Sequence, residues 1–366
     1  MLTYLYGGYV LLLRLLVRVR PGPTVVTDAD HTPSVTVLIT AHNEQAGISQ
    51  RIRNVLACDY PVDRLTILVA SDGSTDDTDR IVLAFGEPRV RLFRPVHRIG
   101  KTETQNHAIA TVSANIIVFT DADTSFDTGF LRAITRPFAD PAVGGVDGHL
   151  LFAREAGAVA QSQGFYWSQE LKIRGLESRL GWLTVASGAC FAVRRNLFRP
   201  MTASVGEDCL IPLDVVRQRY RMVHAGDALA FDRMPSEPQR EFRTRARMTL
   251  RNWQGTWLYP DLLNPLRHPG VAFALWSHKV LRWLSPVFLG LWLIPGVLTL
   301  SETGPAITPG WLGVMFMLAG TIGWATSGRE HGVPVAGTVY GFFLANAGFA
   351  VGVFRALAGR RITAYR

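Results

Sequence analysis

"VTVLITAHNE", residues 35–44, is a run of β-branched and apolar residues that stops on a polar tip. It is too short for a buried helix and has the composition of a buried strand. "LTILVASDGSTDDT", residues 65–78, repeats the design, and Ile48 to Leu56 between them carries apolar residues at helical spacing. That alternation predicts parallel β-α-β units. "NIIVFTDAD", residues 115–123, supplies another strand, and a connection through "VRLF", 90–93, completes the pattern. The expected fold is α/β, a doubly wound, mostly parallel sheet. Ligands of such sheets bind beyond the carboxyl ends of the strands, where Glu44, Asp72, Asp121 and Asp123 fall.

Asp121 and Asp123 stand one residue apart in "TDADT". Like charges that close repel and resist desolvation. Mg²⁺ or Mn²⁺, held by one or two carboxylates and completed by phosphates and water, neutralises such a pair. By itself the tripeptide D-x-D is a weak signal.

The 366 residues suffice for one large domain and an appendage. From Val25 to about Asp261 the composition is that of a soluble domain, whereas Leu, Val, Phe, Gly and Trp dominate after Val271. The net charge is +9, and Lys101, Lys172 and Lys279 are the only lysines among 38 basic residues. Many arginines flank apolar segments, as suits anionic lipid and cytoplasmic loops, so no nucleic-acid partner is expected. Cys58, Cys190 and Cys209 lack zinc-ligand spacing and point to a reducing compartment.

Leu2 to Val19 reads as an N-terminal membrane anchor, with a helix lying in the interface as the alternative. Trp283–Leu300, Trp311–Ser327 and Val333–Phe354 are candidate membrane spans. The expected organisation is an anchor over 1–24, a cytoplasmic domain over 25–235, interfacial helices over 236–282 and about three transmembrane helices over 283–366. Positive-inside bias makes this a multi-pass protein of the cell membrane with its soluble domain in the cytoplasm. Three late crossings would, however, leave Arg355, Arg360, Arg361 and Arg366 outside.

The motifs "AHNE" (41–44), "SDGSTDDT" (71–78), "GKTETQNHAI" (100–109), "TDADT" (120–124), "SGACFAVRR" (187–195) and "GEDCLIPLDVV" (206–216) follow one another. In this set and order the chain resembles the family 2 inverting glycosyltransferases of GT-A fold, which include cellulose, chitin, hyaluronan and poly-N-acetylglucosamine synthases. The resemblance runs from about Val35 to Phe231. It implies a nucleotide-diphosphate sugar as donor, a UDP-sugar favoured, and a saccharide or lipid-linked acceptor. Ala41 and Glu44 would line the nucleotide pocket and Asp72 would accept a hydrogen bond from the base. Lys101 would stand near the nucleotide sugar, Asp121 would contact ribose and metal, and Asp123 would ligate the metal. Asp208 matches the general base. Plainer roles suit the same residues: Asp72 and Asp76 can cap a helix starting near Thr75, Lys101 can be solvated, and Glu207 and Asp208 are acids favoured at a helix start.

Processive members carry Q-x-x-R-W. In "EFRTRARMTLRNWQG", 241–255, an alignment on Arg251 puts Met248 at the Gln and Asn252 at the Trp, so the motif is degraded or absent. Arg240, Arg243, Arg247 and Arg251 share one helical face and suit either a diphosphate or anionic lipid. Glu170 and Glu177 fall on one face near Trp167, where packing outweighs an acceptor role. His149 and His224 have no ligand spacing and are read as structural. Polymer synthesis, addition of a single sugar to a lipid carrier or glycolipid, and a catalytically silent scaffold stay open, as do a homo-oligomer and an export partner.

Overall fold

The computed structural model describes residues 1–20, 22–153, 158–233, 237–298, 309–326 and 334–361. Pleating sends alternate residues of a strand to opposite faces. In β1 (Val35–Ala41), Val35, Val37 and Ile39 enter one apolar core while Leu38 enters another. β2 (Leu65–Ser71) and β4 (Ile116–Asp121) divide in the same way, with Ile67, Val69 and Val118 on one side and Leu68, Ile117 and Phe119 on the other. Burial on both faces is what a parallel strand covered by helices requires.

Between β1 and β2 runs α2 (Ile48–Leu56), on the bounds the sequence suggests. α3 (Thr78–Leu83) leads to β3 (Val90–Phe93), and α4 (Lys101–Ala110) leads to β4. The "VRLF" segment is thus an edge strand of the sheet and not a mere connection. After β4 come β5 (Ser125–Phe126), α5 (Phe130–Thr135), β6 (Val143–Ala153), α6 (Ala158–Leu180), β7 (Phe191–Arg194), α7 (Glu207–Arg217) and β8 (Arg221–Arg233).

The eight strands form one sheet in the order β3-β2-β1-β4-β7-β6-β8-β5. Pairing is parallel from β3 through β4, as expected. β7 is antiparallel to both β4 and β6, β8 is parallel to β6, and β5 is antiparallel to β8. The sheet is therefore mixed, a GT-A-like arrangement, and the expectation of a mostly parallel sheet holds for its first half.

α8 (Pro238–Trp257) follows, then α9 (Pro269–Ala274), a π-helical turn Leu275–Val280, α10 (Leu281–Trp283), α11 (Ser285–Leu298), α12 (Pro309–Thr326) and α13 (Pro334–Leu357). Leu275, Val280, Trp283, Phe349 and Val353 share the second core with Leu38 and Phe119, so these helices dock directly on the sheet domain. α13 lies close against α8: a Cβ at Gly352 would come 2.6 Å from Thr249 Cβ and 2.7 Å from the Ala246 carbonyl oxygen. The N-terminal helix α1 (Tyr9–Val19) buries Tyr9, Leu13 and Val17 with Ile173 and Leu180 of α6 and leaves Leu11 and Leu15 exposed.

Among the described residues, Val335–Leu357 is the helix long and apolar enough to cross a membrane, and Pro269–Trp283 with Ser285–Leu298, bent by 52°, would make a second span. Of the expected spans, the ends at Leu300, Ser327 and Val333 lie outside the described residues, as does Arg366. Arg355 lines the main cleft of the sheet domain and Gln254 Nε2 donates to the Arg360 carbonyl over 2.7 Å. Arg355 and Arg360 therefore lie against the sheet domain.

Candidate active site

The parallel ladder sets Thr40 opposite Asp121 and Ala41 opposite Ser71, so β1, β2 and β4 end level. A cleft of about 1130 Å³ opens at that edge. Ala41, Glu44, Asp72, Lys101, Asp121, Asp123, Asp208, Arg247 and Arg251 all line it, although they span 211 positions of sequence, from 41 to 251.

The two loops at the ends of β1 and β2 are stitched together. Asn43 has φ +58°, a left-handed conformation that Asn tolerates better than most residues. Its Oδ1 accepts from the Thr75 amide at 2.8 Å, and the Glu44 amide donates to Thr78 Oγ1 at 2.8 Å. Asp72 does not cap the helix after it, which starts at Thr78 and whose first amide is taken by Asp76 Oδ1 at 3.0 Å. Instead Asp72 Oδ1 accepts from the amides of Ile99 and Gly100, both at 2.9 Å, and from Thr104 Oγ1 at 3.0 Å. Gly100 enters α4 with φ +91°, a region glycine occupies without a Cβ penalty. Asp72 thus fixes the start of α4 and with it Lys101.

Lys101 is not solvated. Its Nζ lies 2.6 Å from Asp121 Oδ1 and 2.6 Å from Glu207 Oε1, joining the end of β4 to the start of α7. Burial would raise the Glu207 carboxyl, yet the Lys101 ammonium holds it below the usual range. Asp208, the next residue, behaves oppositely. Burial and then the Glu207 charge push its carboxyl up, with Arg251 and Lys101 offsetting part of the effect. A half-buried carboxylate with a raised pKa at the wall of a cleft has the environment of a general base.

On the sheet side of the cleft the carboxylates are in excess. Glu44 is raised by burial and then by Asp123, Asp76 and Asp121. Asp232, from β8, is raised to about 6 by burial and then by Asp123. Facing them, α8 presents its arginine row to the same cleft: Arg240 and Arg243 are exposed at the rim, Arg247 is half-buried, and Arg251 is buried. Arg251 Nε reaches the Ser204 carbonyl at 3.3 Å and its Nη2 reaches Thr102 Oγ1 at 3.3 Å. The arrangement suits a ligand that is anionic toward α8 and carries a cation toward the sheet.

No trio of His, Cys, Asp or Glu among the described residues is spaced to hold a metal unaided. The mutual repulsion of Asp123, Glu44 and Asp232 nevertheless fits a divalent ion that draws the rest of its shell from diphosphate and water.

Sequence reading missed Asp232 and Arg98, which also line the cleft. Asp232 ends a long strand in no motif, and nothing in the sequence points to it. Glu207 was visible only as an acid at a helix start. Trp167 does line the cleft, but Glu170 and Glu177 turn into a buried ionic cluster. Glu170 meets His278 at 2.9 Å, Arg174 at 3.1 Å and Arg282 at 3.1 Å, while Glu177 accepts from the Tyr9 hydroxyl at 2.7 Å. His224 Nδ1 lies 2.9 Å from Asp147 Oδ2 and His149 Nδ1 lies 3.2 Å from His224 Nε2, in keeping with structural roles.

The model of the family described as "Glycosyl transferase family 2" matches residues 36–201. An N-acetylglucosaminyltransferase of Rhizobium sp. (strain N33) is 24% identical over 340 residues, which cover 88% of this chain and 74% of that protein. One from Rhizobium leguminosarum bv. trifolii is 30% identical over 131 residues, 34% of this chain and 70% of the relative. Among solved structures, the mannosyltransferase PcManGT from Pyrobaculum calidifontis, in complex with GDP-Man and Mn²⁺, superposes with a TM-score of 0.73 over 98% of this chain and 97% of that one. At 19% identity that likeness shows a shared fold.

Proposed function

The chain belongs to glycosyl transferase family 2, and from that membership we propose that it moves a sugar from a nucleoside diphosphate to an acceptor hydroxyl, with inversion, at the cytoplasmic face of the membrane. The observation that carries the reading is the convergence of Asp121, Asp123, Asp208 and Arg251 on one cleft.

The loops after β1 and β2, with Ala41, Glu44 and Asp72, receive the nucleoside. Arg247 and Arg251 hold the diphosphate from α8, where guanidinium groups offer paired donors to phosphate oxygens. Asp121 and Asp123 would hold the Mg²⁺ or Mn²⁺, with Glu44 and Asp232 adding negative charge beside them. When bound, such an ion supplies Lewis-acid stabilisation of the departing diphosphate. Asp208 takes the proton as the acceptor oxygen attacks the anomeric carbon and the bond from that carbon to the diphosphate oxygen breaks. One displacement inverts the configuration, and no covalent sugar-enzyme intermediate is needed. Lys101 keeps Glu207 ionised and ties α7, hence Asp208, to the end of β4.

The named relatives include both N-acetylglucosaminyl- and mannosyltransferases, so the donor is to be identified by experiment. α13, with the helices before it, anchors the catalytic domain to the bilayer, and α1 lies in the interface with Leu11 and Leu15 toward lipid. Incubating purified protein with labelled UDP- and GDP-sugars, a divalent metal and membrane lipid tests the proposal. Metal-dependent release of nucleotide with labelled product supports it; the same product from the Asp208→Asn and Asp123→Ala variants refutes it.

A further inference from the structure

Behind the cleft the protein contains two further chambers, and residues shared between neighbours link all three. The middle one, about 250 Å³, is lined by Asp208, Phe152 and Trp167, which it shares with or borders in the main cleft, and by Tyr166, Glu241 and Arg245. The other, about 430 Å³, shares Tyr166, Glu241 and Arg245 with the middle one and is otherwise walled mostly by apolar residues, with Thr3, Tyr6, Gln169, Arg282 and Thr338 among them. Leu5 and Val10 come from the N-terminal segment, Trp292 from α11, Phe316 from α12, and Phe342 and Ala345 from α13.

We infer that the acceptor is an uncharged amphiphile: its hydrocarbon chain lies in the apolar chamber and its hydroxyl-bearing head reaches Asp208 through the middle one. The inference rests on the glycosyltransferase reading and names the acceptor class for the same site. Three observations carry it. The apolar chamber adjoins the chamber of the base, with Tyr166, Glu241 and Arg245 lining both, so an occupant of one lies beside the other. Its polar collar is already charge-balanced, because Arg245 is paired with Glu241 and Arg282 Nη1 lies 3.1 Å from Glu170 Oε2. A head without charge meets no unpaired cation there, whereas an anionic head would compete with Glu241 and Glu170. Trp167, held by its Nε1 bond of 2.7 Å to the Leu150 carbonyl, gives the middle chamber the flat apolar surface a sugar or polyol head packs on. A growing polysaccharide would find a mostly apolar lining in that chamber. The outward faces of the same helices, with Leu291, Leu312 and Leu318 exposed, give a hydrocarbon chain its route from the bilayer.

The test uses the full chain in phospholipid nanodiscs, the labelled donor on which it is active, and methyl, octyl and dodecyl β-glucosides as acceptor probes below their micelle concentrations. Dodecyl glucoside is expected to exceed methyl glucoside in kcat/KM by about tenfold or more, because each buried methylene favours binding. Ala345→Trp and Val339→Trp, which fill the apolar chamber from different turns of α13, should each bring that ratio to about one. The ratio cancels a general loss of activity. Equal use of all three glucosides, or a preference for dodecyl phosphate, overturns the inference. Should no donor react at all, the glycosyltransferase reading fails separately, and photolabelling still decides this one. A dodecyl glucoside with a diazirine in its tail should label peptides containing Leu5 or Phe342, and labelling confined to the outward faces of α11 and α12 contradicts it.

Discussion

The Lys101 ammonium lies 2.6 Å from Glu207 Oε1, and the residue after that glutamate is the proposed base. One buried contact therefore ties the metal-side carboxylate Asp121, which the same ammonium touches, to the start of the helix that aims Asp208.

Removing that cation leaves Glu207 buried without the ammonium 2.6 Å away. Lys101→Met is expected to lower stability by about 3–5 kcal/mol, as breaking a buried ion pair does. Thermal unfolding in detergent measures this, and the double variant Lys101→Met, Glu207→Gln should recover part of the loss.

The pH profile follows from Asp208. A base must be ionised, and burial with the Glu207 charge raises this carboxyl above its usual value. Transfer should therefore fall as pH drops through that raised value, giving an acid limb above the ordinary aspartate range in kcat/KM. Glu207→Gln removes the repelling charge and should move the limb to lower pH; a move to higher pH would show that Glu207 acts on Asp208 in another way.

Arginines along α8 should differ in effect by depth. Arg251 is buried against Ser204 and Thr102, whereas Arg240 is exposed at the rim. Arg251→Lys should cost transfer at least about tenfold, since a lysine cannot reproduce the planar fork of donors. Arg240→Ala should mainly weaken donor binding at low salt, because exposed charges are screened. Steady-state kinetics at two ionic strengths separate the two.

Close packing of α13 on α8 predicts a third kind of defect. A side chain at Gly352 meets the Ala246 carbonyl and Thr249, so Gly352→Val should destabilise the docking by about 1–3 kcal/mol. The melting temperature in detergent reads the change.

Much of this candidate site was legible because parallel β-α-β units put its geometry into short local patterns. The runs at 35–44, 65–78 and 115–123 announce buried strands, and a parallel sheet brings their polar ends together. The arginine row was equally visible, since residues spaced three and four apart share a face. The mixed second half of the sheet was not, because β4 pairs antiparallel with β7 and β6 pairs parallel with β8 across 78 residues of sequence, from Val143 to Arg221, and long-range pairing leaves no local signature. Asp232 was missed for that reason. The glutamates of α6 were read as packing residues, and their partners, His278 and Arg282, lie about a hundred positions away. Among the described residues one helix, or two with the bent pair, is long and apolar enough to span, beside the three expected, since apolar composition marks a membrane-facing surface without saying which helices cross it.

The central claim is that donor and base are separate parts of one cleft. Donor binding by isothermal titration, set beside transfer for wild type and Asp208→Asn with Mn²⁺ present, addresses it most directly. The account predicts a dissociation constant within about threefold of wild type and transfer reduced by about 10² to 10⁴, the usual contribution of a positioned base. Transfer left intact in Asp208→Asn, or donor binding lost with it, would contradict the assignment.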